Sequence, residues 1–202
     1  MMQNKRIGLT GGIATGKSTV SRYLREKGLA VIDADKITHN LYDHSSGFHK
    51  SIIQEFGEEI LRNGEIDRKK LGAIVFRDQE RMNVLENIAH PLIFAEIMKE
   101  IERLQNEKLI FIDITLLFEV DENYRKSLKL NKIWLVFAPL ELQMERLSER
   151  DGISKEEARI KMQTQMDMRK KIELSDVILY NNKNVDFLYK QVDNQLREEG
   201  IQ

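Results

Sequence analysis

Eight residues near the start, Gly11-Gly12-Ile13-Ala14-Thr15-Gly16-Lys17-Ser18, constrain this chain more than any other stretch. They fit G-x-x-x-x-G-K-[ST], a pattern with physical meaning only between a strand and a helix. Both flanks are present. Arg6 to Thr10 is an apolar β-type run, and Lys17 to Lys27 carries Val20 and Leu24 at i, i+4 with Gly28 as its stop. Gly11 and Gly16 let the backbone turn sharply and approach an anion without Cβ collisions. The loop then aims successive N–H groups at a phosphate, helped by the positive end of the following helix. Gly11, Gly12, Ile13, Ala14, Thr15, Gly16, Lys17, Ser18 and Thr19 are thus the candidate triphosphate site. Lys17 can reach the β- and γ-phosphates, and the Ser18 hydroxyl is placed to ligate Mg²⁺. Such a pattern arises by chance in a chain of this length about once in a hundred.

Four further β-type runs follow: Leu29 to Asp33, Leu109 to Ile114, Lys132 to Ala138 and Val177 to Asn181. Helical stretches separate them, which predicts an α/β fold with a five-stranded parallel sheet covered by helices. Between the second and third runs lies an insert of about seventy residues that reads as wholly helical. Phe48, Ile52, Phe56 and Ile60 recur at the spacing of one helix face, Gly64 breaks that helix, and Leu71 to Arg77 forms a short one. Pro91 is expected to open a longer helix through Leu104, with His90 as a possible cap.

Glu141 to Glu173 contains no aromatic residue, balances eight basic against eight acidic side chains, and holds four of the eight methionines. Helices so poor in branched and aromatic anchors are expected to pack lightly and move easily, as a mobile element or simply as a solvated helical pair.

Composition narrows the class. Lys plus Arg total 32 against 33 for Asp plus Glu, which gives no support to a nucleic-acid partner. The absence of cysteine excludes disulfides, a thiolate zinc site and a cysteine nucleophile. Apolar runs are too short for a signal-peptide core or a membrane span, so a cytoplasmic location is expected. The histidines, His39, His44, His49 and His90, have no metal-binding spacing.

Three acidic and basic groups complete the candidate site. Asp33-Ala34-Asp35 closes the second strand, where the ligand crevice of an open α/β sheet lies; one acid can take the proton of an acceptor hydroxyl, or both can be turn and cap residues. Asp113 ends the run Leu109 to Ile112 and is either a Mg²⁺ ligand, usually through water, or a cap. Arg146 and Arg150, one helical turn apart, can clamp a phosphoryl group or form surface ion pairs with Glu149 or Glu145.

These residues together resemble the dephospho-CoA kinase family. The likeness starts at Ile7-Gly8-Leu9-Thr10-Gly11-Gly12 and Lys17-Ser18-Thr19-Val20, and continues through Asp33-Ala34-Asp35, Ile66-Asp67-Arg68 and Ile88-Ala89-His90-Pro91-Leu92-Ile93. It resumes at Asp113-Ile114-Thr115-Leu116-Leu117-Phe118-Glu119, at Arg146 with Arg150-Asp151, and at Ser175-Asp176-Val177-Ile178. The resemblance implies a P-loop kinase core (1–35, 107–139 and 174–202), a helical substrate-binding insert (36–106) and a helical lid (140–173). It implies ATP and dephospho-CoA as substrates and Mg²⁺ as cofactor. It makes Asp33 the candidate base, Lys17, Arg146 and Arg150 its catalytic companions, and Thr10, Asp35, His90, Leu117 and Phe118 the acceptor-site residues.

Departures from the family pattern are Ala14 and Thr15 for Gly and Ser, expected to cost little; Thr115 and Asp167 for proline; and Lys161 for a lid arginine. The alternatives are another small-molecule or nucleoside monophosphate kinase, and a non-catalytic GTPase-type switch. The switch needs N-K-x-D, and Asn131-Lys132-Ile133-Trp134 has tryptophan in the aspartate position.

Overall fold

A computed structural model describes residues 4–42 and 47–201; His44 lies outside them. Along the chain come β1 (Lys5–Gly11), α1 (Lys17–Glu26), β2 (Ala30–Asp33), α2 (Ala34–Leu41), α3 (Gly47–Phe56), β3 (Leu61–Arg62), β4 (Glu65–Ile66), α4 (Arg68–Val75) and α5 (Gln79–Arg103). Then follow β5 (Leu109–Asp113), α6 (Glu122–Ser127), β6 (Lys132–Phe137), α7 (Leu140–Asp151), α8 (Lys155–Gln163), α9 (Met168–Glu173), β7 (Val177–Tyr180) and α10 (Val185–Glu198). They form two compact units, one comprising the residues up to Ile32 and those from Leu104 on, the other Asp33–Arg103.

The first unit is built on a five-stranded parallel sheet in the order β2-β5-β1-β6-β7. β1 lies between β5, with Leu9 opposite Asp113, and β6, with Thr10 opposite Leu135. Strands covered on both faces read as unbroken apolar runs, and all five residues of β5 are buried. Trp134 is fully buried in β6, edge-on to Phe111 at 5.1 Å between ring centroids. Of the segment that approaches N-K-x-D, Lys132 to Trp134 are therefore strand, and the tryptophan in the aspartate position is core. Val20 and Leu24 of α1 and Leu188, Val192 and Leu196 of α10 pack into the same core. Among the described residues no helix is long and apolar enough to cross a membrane.

The stretch from Glu141 to Glu173 is three helices, not a pair, and it is anchored: Gln143 and Leu147 of α7, Ala158 of α8 and Lys171 of α9 are buried. The Lys171 ammonium, too costly to bury alone, lies 2.8 Å from the Glu119 carboxylate. Composition alone understated this packing, because an amide and an ion pair anchor these helices beside Leu147 and Ala158.

Four expectations fail in the second unit, two on each side of α4. The insert is not wholly helical: β3 and β4 form a small antiparallel hairpin, Leu61 opposite Ile66. Its turn is Asn63-Gly64, with φ of 54° and 82°, the pair of left-handed residues that a two-residue hairpin turn requires. Gly57, at φ 82°, rather than Gly64, ends α3, and Ile60 joins Phe48, Ile52 and Phe56 in their apolar cluster from beyond the helix. Nor does Pro91 open a helix. It lies inside α5, with His90 beside it in mid-helix. The lost hydrogen bond and ring clash cost about 3 kcal/mol. Val84, Leu85, Ile88 and Ala89 before it and Leu92 after it all pack on that cluster, which holds the helix through the proline.

Candidate active site

The phosphate loop joins the end of β1 to the start of α1. Gly16 sits at φ 94°, and α1 begins with no side-chain cap and no acidic residue in its first turn. No side chain competes for the start of α1, and the positive end of its dipole faces the loop as a place for an anion, although the Thr19 N–H already donates to the Gly16 carbonyl at 3.0 Å. Thr15 is fully buried, and its hydroxyl donates to the Gly12 carbonyl at 2.9 Å. Ala14 has φ 58°, a left-handed conformation that costs an L-residue roughly 1 kcal/mol. The Gly-to-Ala departure expected to cost little therefore carries its cost in the backbone, not in the chemistry.

Lys17 is not aimed into open space. Its ammonium pairs with the carboxylate of Asp113, which is only 3% exposed at the end of β5. The two candidate groups are neighbours because β1 and β5 are adjacent and in register. Ser18 is exposed in the first turn of α1. After β5 the chain stays against β1: Ile114 N–H donates to the Leu9 carbonyl, and the buried Thr10 hydroxyl donates to the Thr115 carbonyl at 3.1 Å. Leu117 and Phe118 turn inward, while Leu116 is exposed.

Arg146 and Arg150 share a helix face but part company. Arg146 Nη2 donates to the Asn181 carbonyl at 3.3 Å, and its Nη1 is buried with no hydrogen-bond partner among the described residues. Arg150, largely exposed, instead grips Asp151 with two hydrogen bonds of 2.8 and 3.3 Å. Lys161 donates to the same carboxylate at 3.0 Å. Arg150 and then Lys161 hold the Asp151 carboxyl down at about 2. The surface pairing foreseen with Glu145 or Glu149 is thus made with Asp151.

Sequence reasoning missed the groups that lie on the loop itself. Gln165 Oε1 accepts from the Ile13 N–H at 3.0 Å, and a Cβ at Gly12 would come within 2.7 Å of Met168 Cε and 3.1 Å of Gln143 Oε1. The Asn181 side chain donates to the Thr15 carbonyl at 2.8 Å. Asn181 did carry a signal, a polar residue closing an apolar strand at the carboxyl edge of a parallel sheet. Gln165 carried none.

In the second unit, Asp33 is both the last residue of β2 and the N-cap of α2, accepting from the Lys36 N–H at 2.9 Å. Asp35 is exposed in the first turn of α2, and His90 is half-buried in α5.

Among the described residues no group of three or more acidic or histidine side chains could cage a metal. One strand-end carboxylate, Asp113, and one helix-start hydroxyl, Ser18, are the donor set that suits Mg²⁺, which keeps most of its shell as water and substrate phosphate.

A sequence profile of the dephospho-CoA kinase family matches residues 5–186. The chain belongs to the dephospho-CoA kinase family. The dephospho-CoA kinase of Carboxydothermus hydrogenoformans is 41% identical over 189 residues, covering 92% of this chain and 90% of its own. A crystal structure from Thermus thermophilus superposes with a TM-score of 0.83 at 32% identity, over 97% of this chain and 98% of that one. The dephospho-CoA kinase of Campylobacter jejuni gives 0.70 at 32% identity, over 96% and 98%. Two departures from the family pattern find local explanations. Asp167, in a proline position, has φ −52°, which proline also adopts, and caps α9 by accepting from the Arg169 N–H at 2.7 Å. Thr115 contributes its carbonyl to Thr10, a group that proline also has.

Proposed function

We infer that this chain transfers the γ-phosphoryl group of ATP to the ribose 3′-hydroxyl of dephospho-CoA, giving coenzyme A and ADP, the last step of coenzyme A synthesis. The observation that carries this reading is the profile match over residues 5–186, which takes in the phosphate loop, Asp33 and the lid arginines together.

The residues divide the work as follows. The loop from Gly11 to Thr19 holds the phosphates through those of its N–H groups that do not bond within the loop, as Thr15 N–H does to Gly12 and Thr19 N–H to Gly16, and Lys17 neutralises charge on the β- and γ-phosphoryl oxygens. Incoming phosphates would compete with Asp113 for Lys17. Ser18 and Asp113 would hold Mg²⁺, which would supply neutralising charge for the phosphates. The acceptor oxygen bonds to the γ-phosphorus as the bond to the β-phosphate oxygen breaks, and Asp33 takes the hydroxyl proton. Arg146 and Arg150 balance charge on the transferring group, and Thr10, Asp35, His90, Leu117 and Phe118 seat the acceptor. Residues 36–106 supply the acceptor-binding insert, and 140–173 close over the nucleotide.

A nucleoside-diphosphate-release assay with ATP and dephospho-CoA, with ATP and AMP, and with GTP lacking any acceptor (GDP being the product read) tests the activity. Turnover is expected with dephospho-CoA alone. Turnover with AMP would make the chain a nucleoside monophosphate kinase, and GTP hydrolysis without acceptor would make it a switch.

The lid has its own test. Gln165 holds a loop N–H that a phosphate oxygen would claim, so nucleotide is expected to displace this contact, while Met166 beside it is tied to Glu119 by an N–H bond of 3.0 Å. Hydrogen exchange across 140–173 is expected to slow markedly when a bisubstrate analogue binds. Equal protection with and without it would leave these helices as a static cover.

A further inference from the structure

An anion-binding loop works only if its N–H groups face the ligand, so its carbonyls must face the protein and find donors there. The peptide between Thr15 and Gly16 is the weak point. Gly16 at φ 94° tolerates both faces of φ/ψ space, and a flip of this one trans peptide would turn the Gly16 N–H away and present a carbonyl oxygen to the phosphates. One side chain opposes that flip. Asn181 Nδ2 donates to the Thr15 carbonyl at 2.8 Å in a buried setting, and a Cβ on Gly16 would fall on that same nitrogen. Because a carbonyl can only accept, the donor end of the amide has to face it.

Asn181 is itself held on two sides. Its N–H donates to the Phe137 carbonyl at 2.7 Å, extending the β6–β7 ladder, and its carbonyl receives Arg146 Nη2. It is 8% exposed. The end of the sheet, the phosphate loop and the first lid helix therefore meet at one residue.

We propose that Asn181 is a positioning residue for ATP: its side-chain amide locks the Thr15–Gly16 peptide in the anion-binding orientation. It touches neither substrate in this role; it raises the fraction of loops competent to bind, and apparent affinity scales with that fraction. The inference rests on the loop being the ATP site.

Asn181→Asp keeps the shape but sets an acceptor against the Thr15 carbonyl. Asn181→Ser is small enough to keep the fold, and its hydroxyl is too short to reach. Both are expected to raise KM for ATP roughly ten- to a hundredfold, the effect of losing a buried hydrogen-bond donor, with KM for dephospho-CoA changed less than about threefold. Both should also lose most of the rise in Tm that ATP confers on the wild-type chain. A merely structural asparagine would lower the Tm without nucleotide and leave both KM values alone, which would overturn the proposal. So would an equal rise in both KM values. Lys17→Ala, measured alongside, separates the two readings: if it too keeps full ATP binding, the loop is not the ATP site; if it loses binding while both Asn181 variants keep it, only the role of Asn181 fails.

Discussion

Lys17→Ala is expected to lower turnover at least about 10³-fold, equivalent to roughly 4 kcal/mol of lost transition-state stabilisation. Phosphoryl transfer leaves little covalent work to the protein, so fixed positive charge beside the β- and γ-phosphates carries much of the catalysis. Lys17→Arg is not expected to restore it, because a planar fork does not replace a compact ammonium in a cradle of N–H groups. The structure adds a second consequence. Removing the ammonium takes away the ion pair with the buried Asp113 carboxylate, so the alanine variant should also be less stable. Lys17→Ala/Asp113→Asn removes both charges and should recover stability but not turnover. Thermal melts with single-turnover rates on the two variants check this. Near-normal activity in a folded Lys17→Ala protein would move the ATP site elsewhere.

Asp33→Asn is expected to lower kcat by about 10²–10⁴-fold with ATP affinity little changed, the range for loss of a general base. A carboxylate is a weak base for a ribose hydroxyl, but in a loose transition state the hydroxyl becomes acidic only as its bond to phosphorus forms, so placement matters more than basicity. The fold makes asparagine the right probe. Asp33 caps α2, and asparagine caps a helix about as well, so the variant removes charge while keeping the Lys36 N–H bonded. Asp33→Ala would confound the result with a lost cap worth about 1 kcal/mol. Asp35→Asn should cost less. Normal turnover in Asp33→Asn with a dead Asp35→Asn would reverse the roles, and two normal variants would move the acceptor site off β2.

Much of this molecule is written locally. The phosphate loop, the five β-type runs and the stop at Gly28 depend on φ preferences and apolar periodicity within a few residues, and the structure has them where those signals lie. The Asn63-Gly64 hairpin was equally local but hidden, since strands of two residues carry no periodicity. Pro91 shows the opposite case, a clear local signal overridden by burial on both sides.

What the sequence by itself determined is therefore the α/β class, the loop and the residue types at its rim, because backbone geometry and side-chain chemistry there need only near neighbours. What the tertiary structure alone decided is who partners whom. Asp113 faces Lys17 across 96 positions, Asn181 reaches Thr15 across 166 and Gln165 reaches Ile13 across 152. Arg146 and Arg150, equivalent by spacing, separate because one meets the end of β7 and the other meets Asp151. Pairings of this kind follow from strand order and helix packing, which no short window of residues encodes.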